Sequence, residues 1–275
     1  MTPSQKNNIL IMGILNLTPD SFYDGGEYLD NSSVRNHLEA MVNSGADIID
    51  VGAESSKPGS ESISLDEEFE RINLIIPFLS SFNDTVFSID TQKPEIADYA
   101  LHNGFSIVND ITGGDKLMYQ IVSNHDSEIV IMHMKGTPET MQLNPHYDDV
   151  IEDINQYFEN KISIAEGVGL LKSSIILDPG IGFGKSIDDN YKIINNLLEF
   201  KHFDLPILIG TSRKSFLQFN DDRAESRLTG SIVSMIMSVA NGVNIVRVHD
   251  VKETVKAIEI YNRFEMNRSQ VSSYE

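Results

Sequence analysis

The sequence predicts a single (β/α)8 barrel, and three observations lead to it. Eight short aliphatic runs recur along the 275 residues, a segment with helical spacing follows each of them, and the length suits one barrel of about 250 residues. Strands buried on both faces read as continuous apolar runs, and strands separated by helices pair in parallel through crossovers. An open doubly wound sheet has the same alternation, because strand order is not visible in a sequence.

Taken in order, the first run, Ile9-Leu10-Ile11-Met12-Gly13-Ile14, is followed by helical spacing over 33–43. The second strand is expected at 47–51 with a helix over 65–79, and the third at 86–89 with a helix over 95–102. Strands at 106–108 and 129–132 precede helices at 116–124 and 150–167. The last three units place strands at 174–177, 207–209 and 244–248 before helices at 189–200, 227–240 and 251–263. The longest irregular connection is 136–149, which contains Pro138 and Pro145. No segment reads as an interdomain linker, so the expected organisation is a lead-in over 1–8, one barrel over 9–264 and a disordered tail over 265–275.

Composition narrows the function. With 40% hydrophobic residues the chain can bury a large core. It carries 21 Lys and Arg against 41 Asp and Glu, a formal charge of −20. No broad basic surface is available for a nucleic acid or an anionic membrane, so neither partner is expected. An anionic small molecule would have to be met by a few placed cations. The absence of cysteine excludes disulfides, thiolate zinc sites and a cysteine nucleophile. Residues 1–8 lack a basic start leading into a long apolar stretch, and the apolar run 9–15 is far short of the roughly 18 residues of a membrane span. A cytoplasmic location is the expectation.

In such a barrel the active site lies at the C-terminal ends of the strands. The residues there are Asn16-Leu17-Thr18-Pro19-Asp20-Ser21-Phe22, Gly52-Ala53-Glu54-Ser55-Ser56-Lys57-Pro58-Gly59, Asp90-Thr91, Asn109-Asp110, His133, Asp178-Pro179-Gly180, Gly210-Thr211-Ser212-Arg213-Lys214 and His249-Asp250. Any one of these polar residues could be a helix cap or a turn former. As a set, Asp90, Asn109, Asp178 and Lys214 suit a flat heterocycle with an amino-pyrimidinone edge: the acids accept from ring N–H groups, while Asn and Lys serve ring nitrogens and the carbonyl. A pterin or a guanine fits that description. Metal ligation by Asp90 and Asp178 is the alternative, without a second carboxylate at ligand spacing beside either.

A second group is cationic. Lys57, Arg247 and His249 lie at the ends of strands that neighbour the first, Arg247 just inside its strand, and with Asn16 they could surround a pyrophosphate. A structural salt bridge is the competing use of Arg247. The run Asp178-Pro179-Gly180-Ile181-Gly182-Phe183-Gly184-Lys185-Ser186 is a near miss to both nucleotide-binding glycine patterns, with Pro179 and Lys185 where each needs glycine. A tight bend that lets Phe183 lean over a flat ligand accounts for it better.

Four blocks together resemble dihydropteroate synthases, along nearly the whole chain: residues 12–22, 178–185, 211–216 and 247–250. The resemblance implies an enzyme that joins 6-hydroxymethyl-7,8-dihydropterin pyrophosphate to p-aminobenzoate, and a sulfonamide target. It implies that Asp90, Asn109, Asp178 and Lys214 bind the pterin, with Met132 and Phe183 packing on the ring and Gly210 allowing close approach. Asn16 would ligate Mg²⁺ on the pyrophosphate, and Arg247 and His249 would hold the phosphates. Phe22, Ser55, Ser56, Pro58, Phe183, Lys214 and Ser215 would shape the p-aminobenzoate pocket. A homodimer built on the late helices is also implied. Where the family usually reads Glu-Ser-Thr-Arg-Pro-Gly, this chain has Ser56 and Lys57, and Lys lacks the bidentate geometry of Arg. A silent pterin-binding homologue and a pterin-dependent methyltransferase module are the competing readings.

Overall fold

The computed structural model describes residues 9–18, 31–54, 62–137, 140–141, 145–218 and 223–271. Its strands are β1 (Leu10–Asn16), β2 (Ile48–Gly52), β3 (Val86–Asp90), β4 (Ile107–Asp110), β5 (Glu128–Met132), β6 (Ile175–Asp178), β7 (Leu208–Ile209) and β8 (Ile245–Val248). All are parallel, in the order β6-β5-β4-β3-β2-β1-β8-β7. A parallel bridge between Leu177 and Ile207 joins the two ends, and the Leu177 N–H donates to the Pro206 carbonyl at 2.9 Å. The sheet is therefore a closed barrel, and the open alternative is set aside.

Period-2 alternation divides each strand between the barrel interior and the helical shell. Ile49, Val51, Ile89, Val108, Ile129, Ile131 and Leu177 belong to the large core beneath the helices. Met12, Ile48, Ile107, Val130, Ile176, Leu208 and Ile245 form a separate apolar plug inside the barrel. Two residues further along the same strands, the inner face carries Asp50, Asn109, Met132, Asp178, Gly210 and Arg247. The interior thus changes from apolar to charged within one inward-facing layer, toward the C-terminal mouth.

Around the barrel lie α1 (Asn31–Asn43), α2 (Leu65–Ile72), α3 (Ile76–Leu79), α4 (Pro94–His102), α5 (Lys116–Asn124), α6 (Val150–Gly167), α7 (Ile187–Asn195), α8 (Leu228–Ala240) and α9 (Val251–Val271). Helix α6 buries Val150, Ile154, Phe158, Ile162 and Ala165, one stripe at helical spacing, and starts at an Asp149 cap that accepts from the Ile151 N–H at 2.9 Å. Ser186 and Asp189 form a capping box on α7.

Three expectations need correction. The helix over 65–79 is broken into α2 and α3, because Pro77 has no N–H to give the Asn73 carbonyl and its ring would meet that group. The helix over 189–200 ends at Asn195; a 3₁₀ stretch, Leu197–Phe203, follows and buries Leu197, Phe200 and Phe203, a spacing of three that fits three residues per turn. The tail expected to be disordered is helical as far as Val271. There the Asn267 amide donates to the Arg263 carbonyl at 2.7 Å, and Glu265 pairs with Arg268 at 3.8 Å.

Candidate active site

Strand register sets the mouth. Asn16, Gly52, Asp90 and Asn109 lie in one row across β1 to β4, and Met132 stands beside Asp178 across β5 and β6. Gly52 leaves room between its neighbours: a methyl group there would sit 3.3 Å from Asn16 Oδ1 and 3.7 Å from Asp90 Oδ2.

Beneath this row is a buried charge cluster. Arg247 Nε donates to Asp50 Oδ2 at 2.6 Å and its Nη2 to Asp90 Oδ2 at 2.7 Å. Asn109 Nδ2 donates to the same Asp50 oxygen at 2.9 Å. Two carboxylates share one guanidinium in a largely buried site, so the charge of the second carboxylate is opposed. Burial pushes Asp90 up to about 7, against the pull of Arg247 and with the help of Asp50. Burial opposes the charge on Arg247 too, but Asp50 and Asp90 outweigh it and hold the guanidinium above its ordinary range. Asp50 Oδ1 and Ser88 Oγ are buried with no hydrogen-bond partner among the described residues.

Asp178 accepts from the Gly180 N–H at 2.7 Å. Burial raises its pKa, and the Lys214 ammonium opposes the shift. Lys214 itself is pulled down to about 8 by burial, with Asp178 holding the proton on. Its Nζ donates to the Ile181 carbonyl and lies 4.2 Å from the Phe183 ring centroid, so one lysine touches both the β6 loop and the ring expected to face a ligand. Ser212 Oγ accepts from the His249 backbone N–H at 3.2 Å and meets His249 Nδ1 at 3.0 Å, which fixes the imidazole plane. Gly210 stands on the inner face, where a methyl group would lie 3.8 Å from Arg247 Cβ, within the space above the arginine. Ser215 is exposed at the start of the turn Ser215–Leu217.

The structure therefore brings together Asn16, Asp90, Asn109, Met132, Asp178, Phe183, Gly210, Lys214, Arg247 and His249 at one mouth. Phe22, Ser55, Ser56, Lys57 and Pro58 lie outside the described residues. The flanks of the segment holding the last four are braced by Lys93, which donates to Glu54 at 2.5 Å, to Glu68 at 2.5 Å and to the Ile63 carbonyl at 3.2 Å. Sequence reasoning missed Asp50, which lies inside a strand, not after one. A carboxylate within the apolar run Ile48-Ile49-Asp50-Val51 was the available signal, since buried carboxylates require a partner. His133 is not aimed at a ligand: it is buried against Lys185, and burial with the nearby lysines lowers it to about 2, so it is neutral.

The sequence matches the model of the family described as pterin binding enzyme over residues 12–249. It is 40% identical to the dihydropteroate synthase of Escherichia coli (strain K12) over 252 residues, which are 91% of this chain and 89% of that protein. Among solved structures, a dihydropteroate synthase from Clostridium difficile in the presence of pteroic acid superposes with a TM-score of 0.86 at 39% identity, covering 95% of this chain and 98% of that one. The Burkholderia cenocepacia dihydropteroate synthase complexed with 7,8-dihydropteroate superposes with a TM-score of 0.85 at 34% identity, covering 96% of this chain and 94% of that one. With the closed barrel and its charged mouth, these matches show that the chain belongs to the pterin-binding enzymes, among the dihydropteroate synthases.

Proposed function

We propose that the protein condenses 6-hydroxymethyl-7,8-dihydropterin pyrophosphate with p-aminobenzoate, giving 7,8-dihydropteroate and pyrophosphate. The observation that carries this reading is the convergence of Asp90, Asn109, Asp178 and Lys214 above a buried guanidinium. That set offers two acceptors, one amide and one ammonium to the edge of a pterin, and Met132 and Phe183 supply apolar faces for its ring.

The C–O bond between the pterin methylene and pyrophosphate breaks with its electron pair leaving on oxygen. Positive charge then spreads from the methylene into the ring, and the aniline nitrogen closes the C–N bond and releases a proton. No protein nucleophile is needed. Asp90 and Asp178 stabilise the developing cation from fixed, buried positions, where electrostatic effects are largest. Arg247 keeps Asp90 in place, and its Nη1, without a partner among the described residues, is the donor left for a phosphate oxygen. His249, whose ring is held by Ser212, is the second cationic candidate for the same anion.

Mg²⁺ fits this mouth as a metal carried on the pyrophosphate. The described residues contain no cluster of three acidic or imidazole ligands, whereas Asn16 places one carboxamide oxygen at the rim, and Mg²⁺ commonly keeps its waters and binds through one or two protein oxygens plus phosphates. Asn16 would hold it, and the ion would supply neutralising charge to the leaving group.

No helix among the described residues is long and apolar enough to cross a membrane. A cytoplasmic location is part of the same proposal and rests on the likeness to dihydropteroate synthases. We also assign the enzyme a homodimer through the late helices. Ile187, Tyr191, Leu198, Val233 and Met237 expose an apolar face there, beside a cavity of about 600 Å³. That cavity is lined mainly by residues of α7 and α8 and has none of the mouth's carboxylates. The test of the activity is pyrophosphate release from the pterin substrate with and without p-aminobenzoate and Mg²⁺. Dihydropteroate that forms only with both additions supports the proposal, and pyrophosphate release without dihydropteroate in the presence of p-aminobenzoate refutes it.

A further inference from the structure

Lys185 closes the glycine-rich run after β6, at the place where a phosphate-binding lysine would stand. The structure turns it inward. Its side chain is buried, and its Nζ donates to the Phe183 carbonyl at 3.0 Å and the His133 carbonyl at 3.2 Å and meets His133 Nδ1 at 3.0 Å. An ammonium has three hydrogens, and three acceptors surround it. His133 can accept only as the Nε2–H tautomer, which agrees with its neutral state. Burial draws Lys185 down to about 7, with Asp178 the chief influence holding its proton on.

The ammonium joins two neighbouring strands through the one loop residue expected to stack on the pterin. Other anchors hold the rest of the loop: Asn190 accepts from the Gly182 N–H at 2.6 Å, and Tyr147 donates to the Gly184 carbonyl at 2.8 Å. On the opposite side Lys214 bonds Ile181 and faces the Phe183 ring. A pterin that engages Lys214 draws it from that carbonyl, which leaves Lys185 as the remaining ammonium on the loop. We propose that Lys185 is a positioning residue for the pterin half of the reaction, fixing the Phe183 carbonyl to His133 so that the aromatic face is already set when the pterin arrives. This rests on the pterin reading above.

The test is equilibrium binding of 6-hydroxymethylpterin to the parent, Lys185→Met, Phe183→Ala and the double variant, with folding followed by circular dichroism. Binding by the parent tests the pterin reading on its own. Given that binding, Lys185→Met is expected to weaken it about tenfold, roughly the loss of one aromatic stacking contact. In the Phe183→Ala background the same change should add less than about twofold, because the contact it supports is gone. A folded Lys185→Met protein that binds like the parent overturns the proposal, as does a full effect in the Phe183→Ala background. Should Lys185→Met fail to fold, His133→Leu removes one acceptor and leaves both carbonyls. Weakened pterin binding by that variant supports the proposal, and parental binding overturns it.

Discussion

Asp50 is the most informative residue to perturb, because two substitutions there separate charge from hydrogen bonding. Both donors, Arg247 Nε and Asn109 Nδ2, converge on Oδ2, while Oδ1 has no partner among the described residues. Asp50→Asn can place its carbonyl oxygen where Oδ2 is and keep both bonds, so it loses the charge and leaves only a buried NH₂ without an acceptor. A cost of about 1–2 kcal/mol is expected. Asp50→Leu removes both bonds, strands the Asn109 amide and takes one of the two carboxylates from a buried guanidinium, for about 3–5 kcal/mol. Urea unfolding at neutral pH measures both. The charge effect has a second readout: Asp50 raises Asp90, so Asp50→Asn should lower the Asp90 pKa and move the acid limb of pterin binding to lower pH. A loss of less than about 1 kcal/mol in Asp50→Leu, or an acid limb that stays in place in Asp50→Asn, would refute this account of the cluster.

Pterin binding by the parent should follow a bell-shaped pH profile. With a pKa raised to about 7, Asp90 is a neutral acid below that pH and a carboxylate above it, so affinity rises through pH 7. Lys214, lowered to about 8, loses its proton above that pH, so affinity falls again; titration calorimetry from about one and a half pH units below the first limb to about one and a half above the second would show it. Gly180→Ala should be severely destabilising, about 3 kcal/mol or more, because φ is +70° and the added methyl would collide with the His133 carbonyl; a thermal midpoint close to the parent's would count against the loop geometry. Val233→Glu on the exposed face of α8 should yield a monomer by light scattering, and an unchanged mass would remove the dimer assignment.

The barrel was legible because strands buried on both faces carry mainly aliphatic runs, and the eight expected strands lie within two residues of the observed starts and ends. The site was legible where chemistry lies at the C-terminal end of a strand or in the loop after it, as with Asp90, Asn109, Asp178 and Lys214. It was hidden for Asp50, which lies within one. Asp50 and Arg247 point inward from β2 and β8, and their partnership across 197 positions depends on barrel closure, which no local spacing reveals. Lys185 reads in the sequence as the end of a glycine run, yet whether a lysine after such a run points out toward phosphate or in toward a carbonyl depends on the neighbouring strand. The break at Pro77 was available from sequence, since proline lacks the N–H that a continuous helix needs there.

The most direct test of the central claim is dihydropteroate formation by the purified protein supplied with both substrates and Mg²⁺, parent against Asp178→Asn. The account predicts one dihydropteroate per pyrophosphate from the parent and a loss of about a hundredfold or more in Asp178→Asn, because a fixed carboxylate facing the developing cation is gone. A parent that binds the pterin but forms no dihydropteroate, or an Asp178→Asn enzyme as fast as the parent, would contradict it.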